Sequence, residues 1–188
     1  MPKPLPWDWA RPRLVPLLAG QHLGPELVTV LGRPGCAVIF GVEVNGTHLL
    51  VDRQVARRWE TSDAQLEAAA MRNLDRRASQ LTPADVRTGT LAGRIVRVLD
   101  QVPWASSLLL SPEHLVRVFG AHDQVFGTPK RGVLMSFSAD VPTRVIAHIV
   151  VDAEVNAAWP LLLDPFFLEN GQLLWQDLDE LEDRWLEE

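Results

Sequence analysis

No tyrosine occurs among the 188 residues of this chain, there is one cysteine, and only two of its 18 basic residues are lysine. The single Cys36 excludes an internal disulfide and a cysteine-rich metal site. No apolar run approaches the roughly 18 residues that a membrane-spanning helix needs. The opening Met-Pro-Lys-Pro-Leu-Pro has no apolar signal-peptide core, so the expected compartment is the cytoplasm. An excess of positive charge is missing as well. With 18 Lys and Arg against 24 Asp and Glu, the net charge is −6, which speaks against nucleic acid or an anionic membrane as a partner. The five histidines (His22, His48, His114, His122, His148) form no His-x-x-x-His or His-Glu-x-x-His pair. There is no Gly-x-Ser-x-Gly elbow, no Gly-x-Gly-x-x-Gly and no Walker pattern. No catalytic residue, cofactor or metal is therefore expected.

What is present fits a globular protein: 47% hydrophobic residues and 22% charged. A chain of this length buries roughly 70% of the surface it exposes when unfolded, enough for a core without a metal or disulfide. Its charge is uneven. Residues 169–188 hold eight acids and one base, for −7, while residues 1–168 hold 17 bases and 16 acids, for +1.

Five of the 14 prolines fall in the first 16 residues, so residues 1–8 read as an extended arm, with Trp7 and Trp9 marking where it docks. An α+β domain over 9–175 and an acidic amphipathic helix over 176–188 complete the expected organisation. Asp8 reads as the cap of a short helix ending before Gly20. Leu27–Leu31 and Ala37–Val44 read as strands, the second continuing through Asn45-Gly46 into Thr47–Val51. Asn-Gly between β-rich flanks signals a type I′ hairpin, and this reading takes precedence over Asn45-Gly46-Thr47 as a glycosylation acceptor. Asp52–Trp59 reads as a short helix. Ser62-Asp63-Ala64-Gln65 is a capping box, and Leu66, Ala70, Leu74, Ala78 and Leu81 form one helical stripe beyond it. A second hairpin is expected around Leu91-Ala92-Gly93. Ser111-Pro112-Glu113 opens a helix that Gly120 stops. Val133–Phe137 and Val145–Val151 read as strands, Asp152 as the cap of a further short helix, and Asn170-Gly171 as a last hairpin turn. The fold class is α+β, an antiparallel or mixed sheet with helices packed on it.

Candidate sites are few. His122-Asp123 sets an imidazole beside a carboxylate within 121–131, read as a connecting loop. Those two are the pocket candidates. Cys36, in a β run with no close base, reads as a small buried hydrophobe. The six arginines between Asp52 and Arg77 are nearly cancelled by five acids, which describes a solvated face rather than an RNA surface. Leu174, Leu178, Leu181 and Trp185 recur at helical spacing with acids opposite. They are the interaction candidates, for a protein partner or a second copy of the chain.

Several segments share their order with a known group. Thr47-His48-Leu49-Leu50-Val51-Asp52-Arg53-Gln54, Trp59-Glu60-Thr61-Ser62, Ala68-Ala69-Ala70-Met71-Arg72-Asn73-Leu74, Gly132–Phe137, Val145–Ile149 and Leu168–Leu173 resemble the C-terminal two thirds of the YtpQ-like bacterial proteins, a family of unknown function. The resemblance runs from about Arg11 to Trp175 and implies a shared fold without a mechanism. The chain departs from that family in lacking its N-terminal extension and in adding the acidic terminal segment. The expected function is a non-enzymatic interaction or regulatory module. The alternatives are a small enzyme or small-molecule binder with its site near 121–131, and an immunity-type protein that uses its acidic end for steering.

Overall fold

The computed structural model describes residues 5–20, 24–30, 36–157, 160, 161, 163 and 165–174. The fold is α+β and is built on two antiparallel sheets. Helix α1 (Trp7–Ala10) lasts one turn and passes through a 3-10 turn, Arg11–Arg13, into strand β1 (Leu14–Ala19). The helix expected to run from Asp8 to Gly20 is therefore a strand over most of its length. Pro16 has no amide donor and would clash with the preceding turn, which blocks a helix there. An edge strand tolerates it, and β1 is an edge. Trp7 stacks obliquely on Trp59 with ring centroids 5.3 Å apart, and Trp59 Nε1 donates to the carbonyl of Leu5 at 2.8 Å. Trp7 and Asp8, read as the end of an extended arm, are helical; residues 1–4 of that arm lie outside the described residues.

Strands β2 (Thr29–Val30), β3 (Ala37–Val44) and β4 (Thr47–Leu50) complete the first sheet. β3 is its centre, with β1 on one side and β2 and β4 in succession along the other. Asn45 and Gly46 take φ of 50° and 77°, the two positive values that a type I′ turn requires. Helix α2 (Arg53–Arg58) is capped by the Asp52 carboxylate, which accepts from the amide of Val55 at 2.6 Å. Helix α3 (Asp63–Ala78) opens on the expected Ser62–Gln65 capping box and buries Leu66, Ala70, Leu74 and Ala78.

The second sheet contains β5 (Arg87–Leu91), β6 (Arg94–Leu99), β7 (Gln124–Lys130), β8 (Val133–Ser138), β9 (Phe166–Glu169) and β10 (Gln172–Leu174), in the order β10-β9-β7-β8-β6-β5. Helix α4 (Pro112–Phe119) starts at Ser111-Pro112 and stops at Gly120, whose φ of 94° suits a glycine. Helix α5 (Thr143–Val155) replaces the strand expected over Val145–Val151 and absorbs Asp152 into its interior. Ile146, Ile149 and Val150 are buried while Arg144, His148 and Val151 are exposed, a one-sided pattern of period 3.6 that prevails over the β propensity of Val and Ile.

The period-2 alternation of the second sheet sends two sets of side chains to opposite faces. Phe126, Leu134, Leu99, Phe166 and Leu168 join Leu17 and Ile39 of the first sheet, Leu74 of α3, and Leu115 and Phe119 of α4 in one core. Val125, Val133, Met135 and Phe137 pack instead with Ile146, Ile149 and Val150 of α5. A third cluster seats α1, α2 and the start of α3 on Leu14, Phe40 and Val42.

Candidate functional site

Segment 121–131, expected as a loop, is mostly the buried central strand β7, paired with β8 and β9. Gln124, Gly127, Thr128 and Pro129 dilute its apolar pattern, yet all are buried. Gln124 is accommodated because its amide donates to the Gly120 carbonyl at 2.9 Å and its oxygen accepts from Ser136 Oγ. His122 and Asp123 are exposed just before the strand. Asp123 Oδ1 accepts from the backbone amide of Asn170 at 2.9 Å and so braces the β9–β10 turn, while His122 lies against Gly120. The two side chains do not converge.

The other sequence candidates take structural places. His114 Nε2 lies 2.8 Å from Asp75 Oδ1 and ties α4 to α3. His148 is exposed on α5. Cys36 is buried, and burial pushes its thiol up to about 11, so no thiolate nucleophile exists near neutral pH. Leu174 sits on β10 opposite Phe167, as part of the sheet and not of a helix; Leu178, Leu181 and Trp185 lie outside the described residues. Among the described residues, no group of three or more His, Cys, Asp or Glu is placed to hold a metal ion. No helix among them is long and apolar enough to cross a membrane.

A recess lies where the ends of the two sheets meet. It is a cleft of about 1000 Å³ between the β3–β4 hairpin, the segment 100–103 after β6 and the β7–β8 turn. His48 reaches it from β4, directly opposite Glu43 of β3. Gly41 on β3 leaves it room, since a Cβ there would come within 3.0 Å of the His48 Cβ. His48 Nε2 is buried without a hydrogen-bond partner. Arg131 and Lys130 reach the cleft from the β7–β8 turn. The Arg131 backbone is held by a 2.9 Å bond from the Ser106 amide, and its Nε donates to the Leu18 carbonyl at 3.4 Å. Asp100, the acid in the lining, is engaged by Arg87. Neither Lys130 nor Arg131 pairs with a carboxylate among the described residues. A smaller recess of about 320 Å³ lies beside α3, with Arg11, Arg72 and Arg76 around Asn73.

No family model, curated protein or solved structure matches this chain. Its site must therefore be read from its own geometry. Sequence reasoning missed the cleft because its cationic turn and its histidine lie more than eighty positions apart and carry no motif; the one local signal is the polar His48 inside an apolar strand run.

His48 makes the fold pH-sensitive. Burial holds its pKa below the ordinary 6.5; Arg131 and Arg77 add to that, and Glu43 opposes it. The unfolded chain thus binds a proton at a pH where the folded chain does not, so stability rises with pH through that window. As pH falls below about 6.5, wild type is expected to lose stability that His48→Gln keeps. Urea midpoints at pH 7.5, 6.5 and 5.5 check this; equal losses in both proteins contradict it.

The remaining conspicuous surface is the β5–β6 ribbon. All five β5 residues are exposed at the outermost position of the sheet. β6 pairs with β8 only through Arg97–Leu99, so Arg94–Val96 and the tip of β5 extend beyond it. Leu91 is 40% exposed and Ile95 69%. Ala92 and Gly93 form the turn, with φ of 49° and 74°.

Proposed function

We propose that this chain is a cytoplasmic, non-enzymatic interaction module that associates with a second copy of itself through the outer edge of β5. The observation that supports this is an edge strand, unpaired on its outer side among the described residues, whose sequence is nearly symmetric about Gly89. Leu91 and Arg94 close a two-residue turn and bond to each other, so Gly89 and Arg87 also bond inward to β6. Thr88 and Thr90 therefore direct their amides and carbonyls outward. A two-fold axis at Gly89 sets Thr88 opposite Thr90 of the second copy and Arg87 opposite its Leu91. Threonine pairs are favourable across strands, no like charges meet, and glycine leaves the close central pair free of side chains. Natural sheets cover or blunt such an edge, because its free donors and acceptors template a further strand. Burial of Leu91 and Ile95 beside the pairing adds apolar area.

Thr90→Pro tests the reading, since it deletes an outward amide and leaves every β5–β6 hydrogen bond in place. Light scattering is expected to show a dimer for wild type and for a chain ending at Trp175, and the 21.0 kDa of a single chain for Thr90→Pro. A wild type that is monomeric overturns the proposal. So does a dimer that survives Thr90→Pro and disappears on truncation, which would place the interface in the acidic terminal segment.

A further inference from the structure

We infer that the cleft between the two sheet ends is a binding site for a small organic acid, whose carboxylate or phosphate group is held by Arg131 and Lys130 while its apolar part lies on Leu50 and Val102. Four observations converge on it. First, both cations of the β7–β8 turn face the cleft without a carboxylate partner among the described residues, and the nearby Asp100 is occupied by Arg87. Second, Arg131 is partly buried and fixed, with its backbone carbonyl bonded by Ser106 and its Nε on the Leu18 carbonyl. That leaves its terminal nitrogens to meet an anion as a planar fork, the geometry in which guanidinium binds carboxylate and phosphate. Third, His48 Nε2 is buried with its hydrogen-bonding capacity unused. A buried polar atom in that condition costs free energy unless a ligand or water completes it. Fourth, Leu50 is 37% exposed at the rim, an apolar surface beside the charged one. A few convergent polar groups within an otherwise apolar recess is the usual composition of a small-molecule site.

Lowered basicity at His48 fits this role, because a neutral imidazole can accept or donate one hydrogen bond without adding a third charge. The recess beside α3 fits less well. Arg76 there is already committed to the Pro12 carbonyl and to Asn73 Oδ1, and the volume is about 320 Å³.

The test uses the full chain with phenyl phosphate, benzoate and benzyl alcohol, titrated at millimolar concentration while the His48 ring resonances are followed by NMR. Phenyl phosphate or benzoate is expected to shift His48 saturably, and the tighter of the two identifies the preferred acid; benzyl alcohol is expected to leave it unmoved. Arg131→Gln is expected to weaken binding about tenfold or more, the scale of losing one charge-assisted pair. Lys130→Gln, at an exposed position, is expected to weaken it several-fold, and Arg72→Gln in the α3 recess to leave it unchanged. The inference fails if neither acid moves His48, if benzyl alcohol binds as well as the acids, or if Arg72→Gln abolishes binding and Lys130→Gln does not. None of these outcomes bears on dimerisation through β5, because the cleft and that edge share no residue.

Discussion

Replacing Phe126 by alanine is expected to lower the stability of this protein by about 3–5 kcal/mol, the range for removing a fully buried aromatic ring. Phe126 is 0% exposed on β7 and stands edge-on to Phe119 of α4, with ring centroids 5.2 Å apart and planes at 89°. That arrangement is the favourable one for two ring quadrupoles and adds to the area buried. Its surroundings raise the cost. The ring belongs to the cluster that contains Leu17 and Ile39 of the first sheet together with Leu134 and Phe166 of the second, so the void would open between the two sheets. Neighbours fixed by strand pairing on both sides of β7 can collapse into it only slightly. Urea unfolding of the two proteins at pH 7.5 measures the difference. Val155→Ala, at a side chain 78% exposed at the end of α5, is the comparison and is expected to change stability by about 0.5 kcal/mol or less. A loss below about 1 kcal/mol for Phe126→Ala is incompatible with a core shared by the two sheets.

Phe126 also marks where the sequence was hard to read. Elements whose signals are local were legible: the Asn45-Gly46 and Asn170-Gly171 turns, the Ser62–Gln65 capping box and the stripe from Leu66 to Ala78 all form as their residue types require. β7 was not, because its periodicity is obscured by polar and turn-forming residues whose burial depends on partners distant in sequence. Gln124 belongs in a core only once Ser136 and Gly120 meet its two ends, and Gly127 is needed only because Val150 of α5 would lie 2.4 Å from a Cβ there. β1 and α5 were misread for a related reason. Propensity favoured one state in each, and the tertiary environment selected the other: an edge position that accepts Pro16, and a one-sided contact surface that a helix covers better than a strand.

The candidate site was less legible than the fold. His48 stood out as a polar residue in an apolar run, but nothing local indicates that the turn at Lys130-Arg131 closes over it. That proximity comes from the meeting of two sheet ends. The named pair His122-Asp123 illustrates the converse, since adjacency in sequence brought no convergence in space and Asp123 serves a turn instead.

Asn73 gives the second large effect, and its direction depends on what replaces it. This asparagine lies within α3, where its helix propensity is poor, and it is only 8% exposed. Its side-chain amide donates to the carbonyls of Arg11 at 2.7 Å and Leu14 at 2.9 Å, where the chain turns from the 3-10 segment into β1. The Arg11 carbonyl precedes the strand and also accepts from the Leu14 amide, while Leu14 opens the pairing with β3, so a donor reaching both carbonyls holds the start of β1 on α3. Asn73→Leu fills the space and excludes water, leaving the Leu14 carbonyl without this donor and the Arg11 carbonyl with the Leu14 amide alone; the expected loss is about 2–3 kcal/mol. Asn73→Ala removes the same donor but opens the site to the neighbouring recess of about 320 Å³, from which water can reach both carbonyls. Its expected loss is about 1–2 kcal/mol, smaller than that of leucine despite the larger deletion. A substitution governed by lost packing gives the opposite order, because leucine retains volume and has the higher helix propensity. Urea midpoints for the two variants therefore separate the explanations. Leucine less stable than alanine identifies the pair of hydrogen bonds as what fixes the entry of β1, and the reverse order assigns the role of Asn73 to its volume.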